Sequence, residues 1–181
     1  MQSERLSIRT LSKEHEPLYC DLFMDPVTMR HIGAPLTLDG AKRQFRGALA
    51  ISRRDPPEGL LFSVCEKSRN HHIGICSLLN IDRTRSRAEV GVMLRPARQG
   101  QGFGAEALRI VLALAYQTLS IDEVWGQFHP SHVAVERMNI RAGMADYGAC
   151  ADYGALPGMR VQRAIRSLAG QIGKERAGTV T

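Results

Sequence analysis

Residues Ala88 to Ala107 read AEVGVMLRPARQGQGFGAEA, and no other stretch of the chain carries as much potential chemistry. An apolar run of strand character passes into a loop with glycines at 100, 102 and 104, and helix-forming residues follow at once. Glycine lets a loop fold its amides back toward one point, and the first amides of a helix have no carbonyl to bond within the helix. With the positive end of the helix dipole near Gly104, such a loop suits an anion, above all a pyrophosphate. Arg98, just before the loop, is placed to add a charge-assisted hydrogen bond.

A loop of this kind needs a scaffold, and the sequence on either side predicts one. Leu6, Ile8 and Thr10 alternate with polar residues, the pattern of a half-buried strand. Lys13 to Phe23 reads as a helix stopped by Asp25-Pro26. Asp39 to Arg53 reads as a second, with Phe45, Ala48 and Leu49 on one face and Asp55-Pro56-Pro57 after it. Runs of β-forming residues at Leu60 to Glu66 and Ile73 to Ile81 flank Ser68-Arg69-Asn70, and a third at Ala88 to Leu94 follows the polar turn Arg83 to Arg87. This predicts an antiparallel meander. His71-His72 falls at a turn and reads as surface.

Beyond the loop, Leu108, Val111, Leu112, Ala115 and Leu119 recur at helical spacing, and Glu123 to Phe128 is a short strand. Trp125, Phe128 and Tyr116 read as core residues. Ser131 reads as the N-cap of a helix ended by Gly143. Met144 to Cys150 and Val161 to Leu168 read as strands, and ADYGA, found at Ala145 to Ala149 and Ala151 to Ala155, is either accidental or the two arms of a hairpin.

A chain of 181 residues that is 44% apolar and 23% charged describes one globular domain, and excludes a disordered, coiled-coil or collagen-like protein. Residues 1–170 are expected to form that domain and residues 171–181 a basic, flexible tail. From Arg160 onward there are five cations and one acid, Glu175, within a chain of net charge +6. That excess suits a polyanionic partner such as a nucleotide cofactor, a phosphorylated substrate or RNA, or else a solvated tail. Nucleic acid is disfavoured, because there is no helix-turn-helix or aromatic-rich basic motif and aromatics are 6%. Cys20, Cys65, Cys76 and Cys150 have neither a C-x-x-C pair nor zinc spacing, so they read as reduced and buried and no metal is expected. No signal peptide or long apolar run is present, which predicts a cytoplasmic protein off the membrane.

Two families use a glycine loop of this kind. Gly100-x-Gly102-x-x-Ala105 matches the dinucleotide fingerprint of a Rossmann domain. In such a domain, however, the glycines follow the strand directly and an acidic residue ends the next strand. Here five residues including Pro96 intervene between Leu94 and Gly100, and Asp122 and Glu123 begin the next strand. Read as Gln99-x-x-Gly102-x-Gly104, the loop resembles the coenzyme A pyrophosphate loop of the GNAT N-acetyltransferases. RLSIRTL, DPVTMRHIG, AEVGVML, RPARQGQGFGAEAL and RMNIRAGM together resemble the RimJ/RimL branch, which acetylates protein N-termini and related amines.

The resemblance implies a single-domain mixed α/β GNAT fold: a mostly antiparallel mixed sheet with splayed central strands, flanked by helices. It implies acetyl-CoA as cofactor, with the backbone of Val92, Met93 and Leu94 pairing to the pantetheine, and Arg98, Gln99, Gly100, Gln101, Gly102, Phe103, Gly104 and Ala105 forming the phosphate site. An N–H near Met93 would be the donor to the thioester oxygen. His132 stands where the family usually has an Asn that contacts the cofactor. Asn139, Val135 and Gln127 stand where relatives carry a Tyr acid, a Ser and a carboxylate. Glu89 stands near the position of a general base in some relatives. It is a candidate base or a strand carboxylate facing Arg87 or Arg85. His129 and His132, taken at the ordinary histidine pKa near 6.5, are candidate proton relays or structural polar contacts.

The expected activity is direct transfer of an acetyl group from acetyl-CoA to a primary amine, on an amine-bearing small molecule or a peptide or protein N-terminus. An acyl-CoA-binding regulatory module without catalysis is the alternative, and a homodimer is compatible with either. A lysine amine of pKa about 10.4 must lose about 3 units at pH 7.4, roughly 4 kcal/mol, whereas an α-amine near 8 loses little. The sparse acid–base outfit therefore favours a low-pKa amine. Arg160, Arg163 and Arg166 suggest a weak preference for an acceptor with negative charge.

Overall fold

Alternation at Leu6 and Ile8 makes β1 (Leu6–Thr10) an edge strand with one apolar face, and it lies antiparallel on β2 (Leu60–Glu66). The computed structural model describes residues 1–148 and 153–166. In it, β2, β3 (His71–Asp82) and β4 (Arg87–Leu94) form the antiparallel meander that the sequence predicts. β5 (Glu123–Phe128) then joins β4 in parallel, a pairing that the long crossover between them allows. β6 (Ala145–Gly148) and β7 (Arg160–Ile165) complete a seven-stranded sheet in the order β1-β2-β3-β4-β5-β7-β6. This is the mixed α/β, single-domain sheet flanked by helices that was expected.

Each face of the sheet has its own core. One face is covered by α1 (Glu16–Met24), the short α2 (Pro26–Met29) and α3 (Leu38–Ser52). There Leu22, Met29 and Phe45 pack on Ile75 and Met93. On the other, α4 (Phe103–Gln117) and α5 (Val133–Ala142) lie on the sheet, with Leu108, Val111 and Leu112 against Ile8, Leu78 and Val124. Leu108 is fully buried, and truncating such a residue costs about 2–5 kcal/mol. The helix that follows the glycine loop is thereby anchored deep in the core. β3 and β4 approach closely at Gly74, where a Cβ would meet Met93 O at 2.3 Å.

Several local expectations shift. α1 does end before Asp25, but the chain then starts a second helix rather than a loop: Pro26 takes the first helical position and the Asp25 carboxylate accepts from the amides of Val27 and Thr28. His71 and His72 begin β3 instead of forming a turn, and the half-buried His72 packs edge-on against the buried His15 at 4.7 Å. Asn70, in the left-handed conformation, makes the turn before them. His132 rather than Ser131 caps α5, because Ser131 Oγ is taken by His129 Nδ1 at 2.7 Å. The hairpin arms near the C-terminal end are β6 and β7, and residues 153–155 of the second ADYGA form no strand. Cys20, Cys65 and Cys76 are buried and free. Cys150 and the basic tail lie outside the described residues. Among the described residues no helix is long and apolar enough to cross a membrane.

Candidate active site

β4 and β5 are paired only at one end. Their parallel register runs from Arg87↔Glu123 to Glu89↔Trp125 and stops. Beyond it β5 continues on β7, from Gly126↔Gln162 to Phe128↔Arg160, while β4 stays on β3 as far as Leu94. The two strands therefore splay, and Gly91 to Leu94 have one edge without a strand partner among the described residues. Arg95 N–H donates to Ile73 O on β3 at 2.8 Å, and Met93 O also faces β3 at Gly74. Successive residues of a strand turn their backbone groups to opposite sides. The amides of Met93 and Gly91 thus point to β3, that of Val90 turns to β5 where the pairing ends at Trp125, and those of Val92 and Leu94 point into the gap.

The glycine loop closes the far end of this gap. Gly100 and Gly102 have φ of +74° and +83°, and Gly102 is the N-cap residue of α4 with no side chain capping the helix. A residue with a Cβ is strained at such angles. The first intrahelical bond is Glu106 N–H to Gly102 O. The six successive amides from Gly100 to Ala105 have no acceptor among the described residues, which leaves them free for an anion at the end of a 15-residue helix. Gln99 Nε2 ties the loop back to Leu94 O at 2.9 Å. The first-turn acid Glu106, which would repel an anion, is instead held by Ser3 and by Arg5 Nε at 2.8 Å.

Near the point of divergence Glu89 accepts from Asn80 Nδ2 at 2.7 Å and from Gln127 Nε2 at 3.1 Å, not from Arg85 or Arg87. His132 lies at the rim with His31, their ring centroids 4.2 Å apart, and His129 lies 6.4 Å from His31. Burial, reinforced by His31, Arg30 and His129, pulls His132 down to about 4, so the ordinary histidine value assumed from sequence does not hold there. At neutral pH it is an uncharged imidazole. His31 is lowered as well, by burial first and then by Arg30 and His129.

Glu89, Val92, Met93, Leu94, Gln99, Gly100, Gly102, Gly104, Ala105 and His132 line one cleft of about 510 Å³. Arg98, Gln101 and Phe103 lie outside it. The Arg98 guanidinium sits 3.2 Å from the Glu66 carboxylate, Gln101 Nε2 donates to Ala97 O, and Phe103 is buried beneath Arg5, whose guanidinium carbon is 4.5 Å from the ring centroid. Arg5, which drew no attention in the sequence, is the cation that meets the loop: it donates to Gln101 O at 3.1 Å. Arg30 and His31 were also missed. They come from α2 and the segment after it, and only the fold brings them to the cleft. Arg137 and Arg141, one turn apart on α5, line it from the opposite side. Glu89 is the single acidic side chain among the described lining residues, which include no Cys, Lys or Tyr.

The geometry has counterparts in known proteins. A model of the acetyltransferase (GNAT) domain matches residues 5–145. Uncharacterized N-acetyltransferase p20 of Bacillus licheniformis is 25% identical over 134 residues, which is 73% of this chain and 74% of that protein. The structure of spermidine N-acetyltransferase from Vibrio cholerae, in complex with CoA and spermine, superposes with a TM-score of 0.76 at 15% identity, covering 91% of this chain and 98% of the other. Aminoglycoside acetyltransferase AAC(6')-Ib in complex with coenzyme A superposes with a TM-score of 0.76 at 13% identity, covering 92% and 98%. At such identities these two structures establish likeness of fold.

Proposed function

This chain belongs to the GNAT acetyltransferase family, and from that premise we propose that the cleft between β4 and β5 transfers an acetyl group to the α-amine of a peptide, a protein N-terminus or an amino-acid-like small molecule. The protein is an acyltransferase of the N-acetyltransferase type, and acetyl-CoA is its acyl donor. The RimJ/RimL-like branch, read from RLSIRTL and DPVTMRHIG, is part of the proposal.

One observation carries the reading: six amides, Gly100 to Ala105, without acceptors among the described residues, stand at the end of a strand edge that has no partner among them. A pyrophosphate would satisfy the loop, and a pantetheine with its two amides would pair along Val92 and Leu94 as a missing strand does. The residues present fit the cofactor. Arg137 and Arg141 would add cationic surroundings on the α5 side. When bound, acetyl-CoA supplies a thioester carbonyl carbon for the amine and a thiolate that leaves without much help.

The chain's own residues orient the reactants, polarise the carbonyl and manage one proton. The amides of Val92 and Leu94 face the cleft and are the available donors for charge developing on a carbonyl oxygen. Glu89 is the one carboxylate among the described lining residues that can take a proton from the amine, and Asn80 and Gln127 hold it in place. His132, neutral at pH 7 and of low basicity, serves as a polar wall of the site. No cysteine lines the cleft among the described residues, which favours direct transfer over an acyl-enzyme. Calorimetry with CoA and initial rates of thiol release test the proposal. The acceptors are one peptide with a free α-amine and one blocked there but carrying a free lysine. Tight CoA binding with faster transfer to the α-amine is expected. Absence of CoA binding, or faster transfer to lysine, would overturn it.

A further inference from the structure

We infer that the acceptor carries a carboxylate or similar anionic group close to its amine, and that Arg30 is the residue that recognises that charge. The inference deepens the reading above and rests on it. Its ground is the arrangement of charge within the cleft. The glycine loop, Arg137 and Arg141 reach the cleft from the α4–α5 face of the sheet, where the cofactor's phosphates belong. Arg30 reaches it from the opposite face, with the α1–α3 layer, which leaves it to the acceptor.

The backbone at Arg30 is held in that place, and the side chain is exposed at the cleft. Asp25 caps the helix whose last turn leads into Arg30, and Met29 next to it is buried among Leu22 and Phe45. Ile32 N–H and Gly33 N–H both return to Met29 O, closing the turn, and the His31 ring rests on His132. Despite this anchoring the guanidinium has no ion-pair partner among the described residues. Arg5, Arg95 and Arg98, by contrast, each face a carboxylate. A cation without a counter-ion, carried on a fixed stretch of backbone beside a reaction cleft, is complementary to an anion brought by the substrate.

The acidic side of the account agrees. Glu89 is the only carboxylate lining the cleft among the described residues, and both its oxygens already accept amide hydrogen bonds. A polycationic acceptor would find three arginines and no second acid. Arg160, Arg163 and Arg166, to which the sequence pointed for the same preference, are spent elsewhere. Arg160 pairs with Glu136 and Asp146, Arg163 with Glu123, and Arg166 with Asp122.

The test measures thiol release with acetyl-CoA and the purified full chain. The acceptors are an N-terminal aspartyl tripeptide amide, its asparaginyl counterpart, free aspartate and spermidine. Acidic and neutral versions of the α-blocked lysine peptide complete the panel. The intact protein should favour the aspartyl over the asparaginyl peptide about tenfold in kcat/KM, the effect of one partly solvated charge-assisted hydrogen bond. Free aspartate tells whether the charge is read on a small molecule as well as on a peptide. Arg30→Gln should abolish the ratio through KM, Arg30→Glu should invert it, and Arg30→Lys should keep part of it. CoA affinity by calorimetry shows that each variant is folded. Equal rates on the acidic and neutral peptides, an unaltered ratio in Arg30→Gln, or spermidine as the best acceptor would overturn the inference. A preference for lysine would remove the α-amine reading and leave the charge ratio to be read on the lysine pair. Failure to bind CoA would remove both.

Discussion

Gln127 Nε2 donates to Glu89 Oε1 at 3.1 Å across the point at which β4 and β5 part. Gln127 Oε1 at the same time accepts from Leu156 N–H at 3.0 Å, so its amide can be oriented in only one way. The side chain bridges the mouth of the cleft, fastening the one carboxylate in it to the segment that precedes β7. Glu89 is thus held at the head of the unpaired edge by neighbours that are themselves held.

Glu89→Gln should lower turnover by about two orders of magnitude, the usual worth of a positioned general base. The loss should be larger for amines of high pKa, which most need deprotonation, and CoA affinity should change little. The measurement is kcat against pH for two acceptors of different amine pKa. An equal loss across acceptors and pH would make Glu89 structural.

Gly102→Glu places a side chain and a negative charge among the amides at the start of α4. CoA affinity should fall by at least about a hundredfold by calorimetry, since an anion would have to displace or face a carboxylate. Gly102→Ala serves as its control. Both residues are strained at φ +83°, at about 1–2 kcal/mol, but only Glu adds charge, so unfolding should be similar and binding should not.

Arg98→Gln separates two roles for one residue. Glu66 is 8% exposed and Arg98 is its nearby cation, 3.2 Å away but not aligned as a hydrogen bond. Its loss leaves a largely buried carboxylate without a counter-charge, and denaturant unfolding should show a cost of about 1–3 kcal/mol. CoA affinity should stay within about twofold. A large loss of affinity with unaltered stability would restore Arg98 to the phosphate site.

His132 ties stability to acid pH. Its folded value near 4 lies below the ordinary 6.5, so the unfolded chain takes up the proton first as pH falls. Stability should be unaffected by this group above about pH 6.5 and should decline from there down to about pH 4. With allowance for partial solvent exposure the decline is about 1–2 kcal/mol. His132→Asn should flatten that part of the profile, followed by chemical denaturation at pH 7.5 and 4.5. An unchanged slope would place the acid sensitivity elsewhere, for instance at His31 or His72.

Gln162 on β7 is fully buried, and neither atom of its carboxamide has a partner among the described residues. Gln162→Met, of similar volume, removes the need for one and should raise stability by about 1 kcal/mol in thermal unfolding. Destabilisation by that amount would show that the amide is satisfied in solution.

The amino-acid sequence by itself determined what depends on near neighbours. Runs of β-forming residues placed β2 and β5 to the residue, glycines at 100 and 102 marked the loop because their φ values are closed to other residues, and helical spacing of Leu108, Val111 and Leu112 marked the face that buries α4. The glycine loop was legible from those local patterns, and the fold class and cofactor followed from the family resemblance that the loop and its flanking segments carry. Tertiary structure alone decided where β4 and β5 part: β5 stays on β7 along its whole length and β4 stays on β3, while their shared register stops at Glu89↔Trp125 with no residue pattern in β5 to mark the point. It decided that Arg98 meets Glu66, that Arg5 meets the loop, and that Glu89 is held by Asn80 and Gln127. It also brought Arg30 and His31 to His132 from a hundred residues away. Charges are long-range and side chains that pair through space have no characteristic spacing, so the partners of an arginine or the environment of a histidine become legible only when the chain is folded around them.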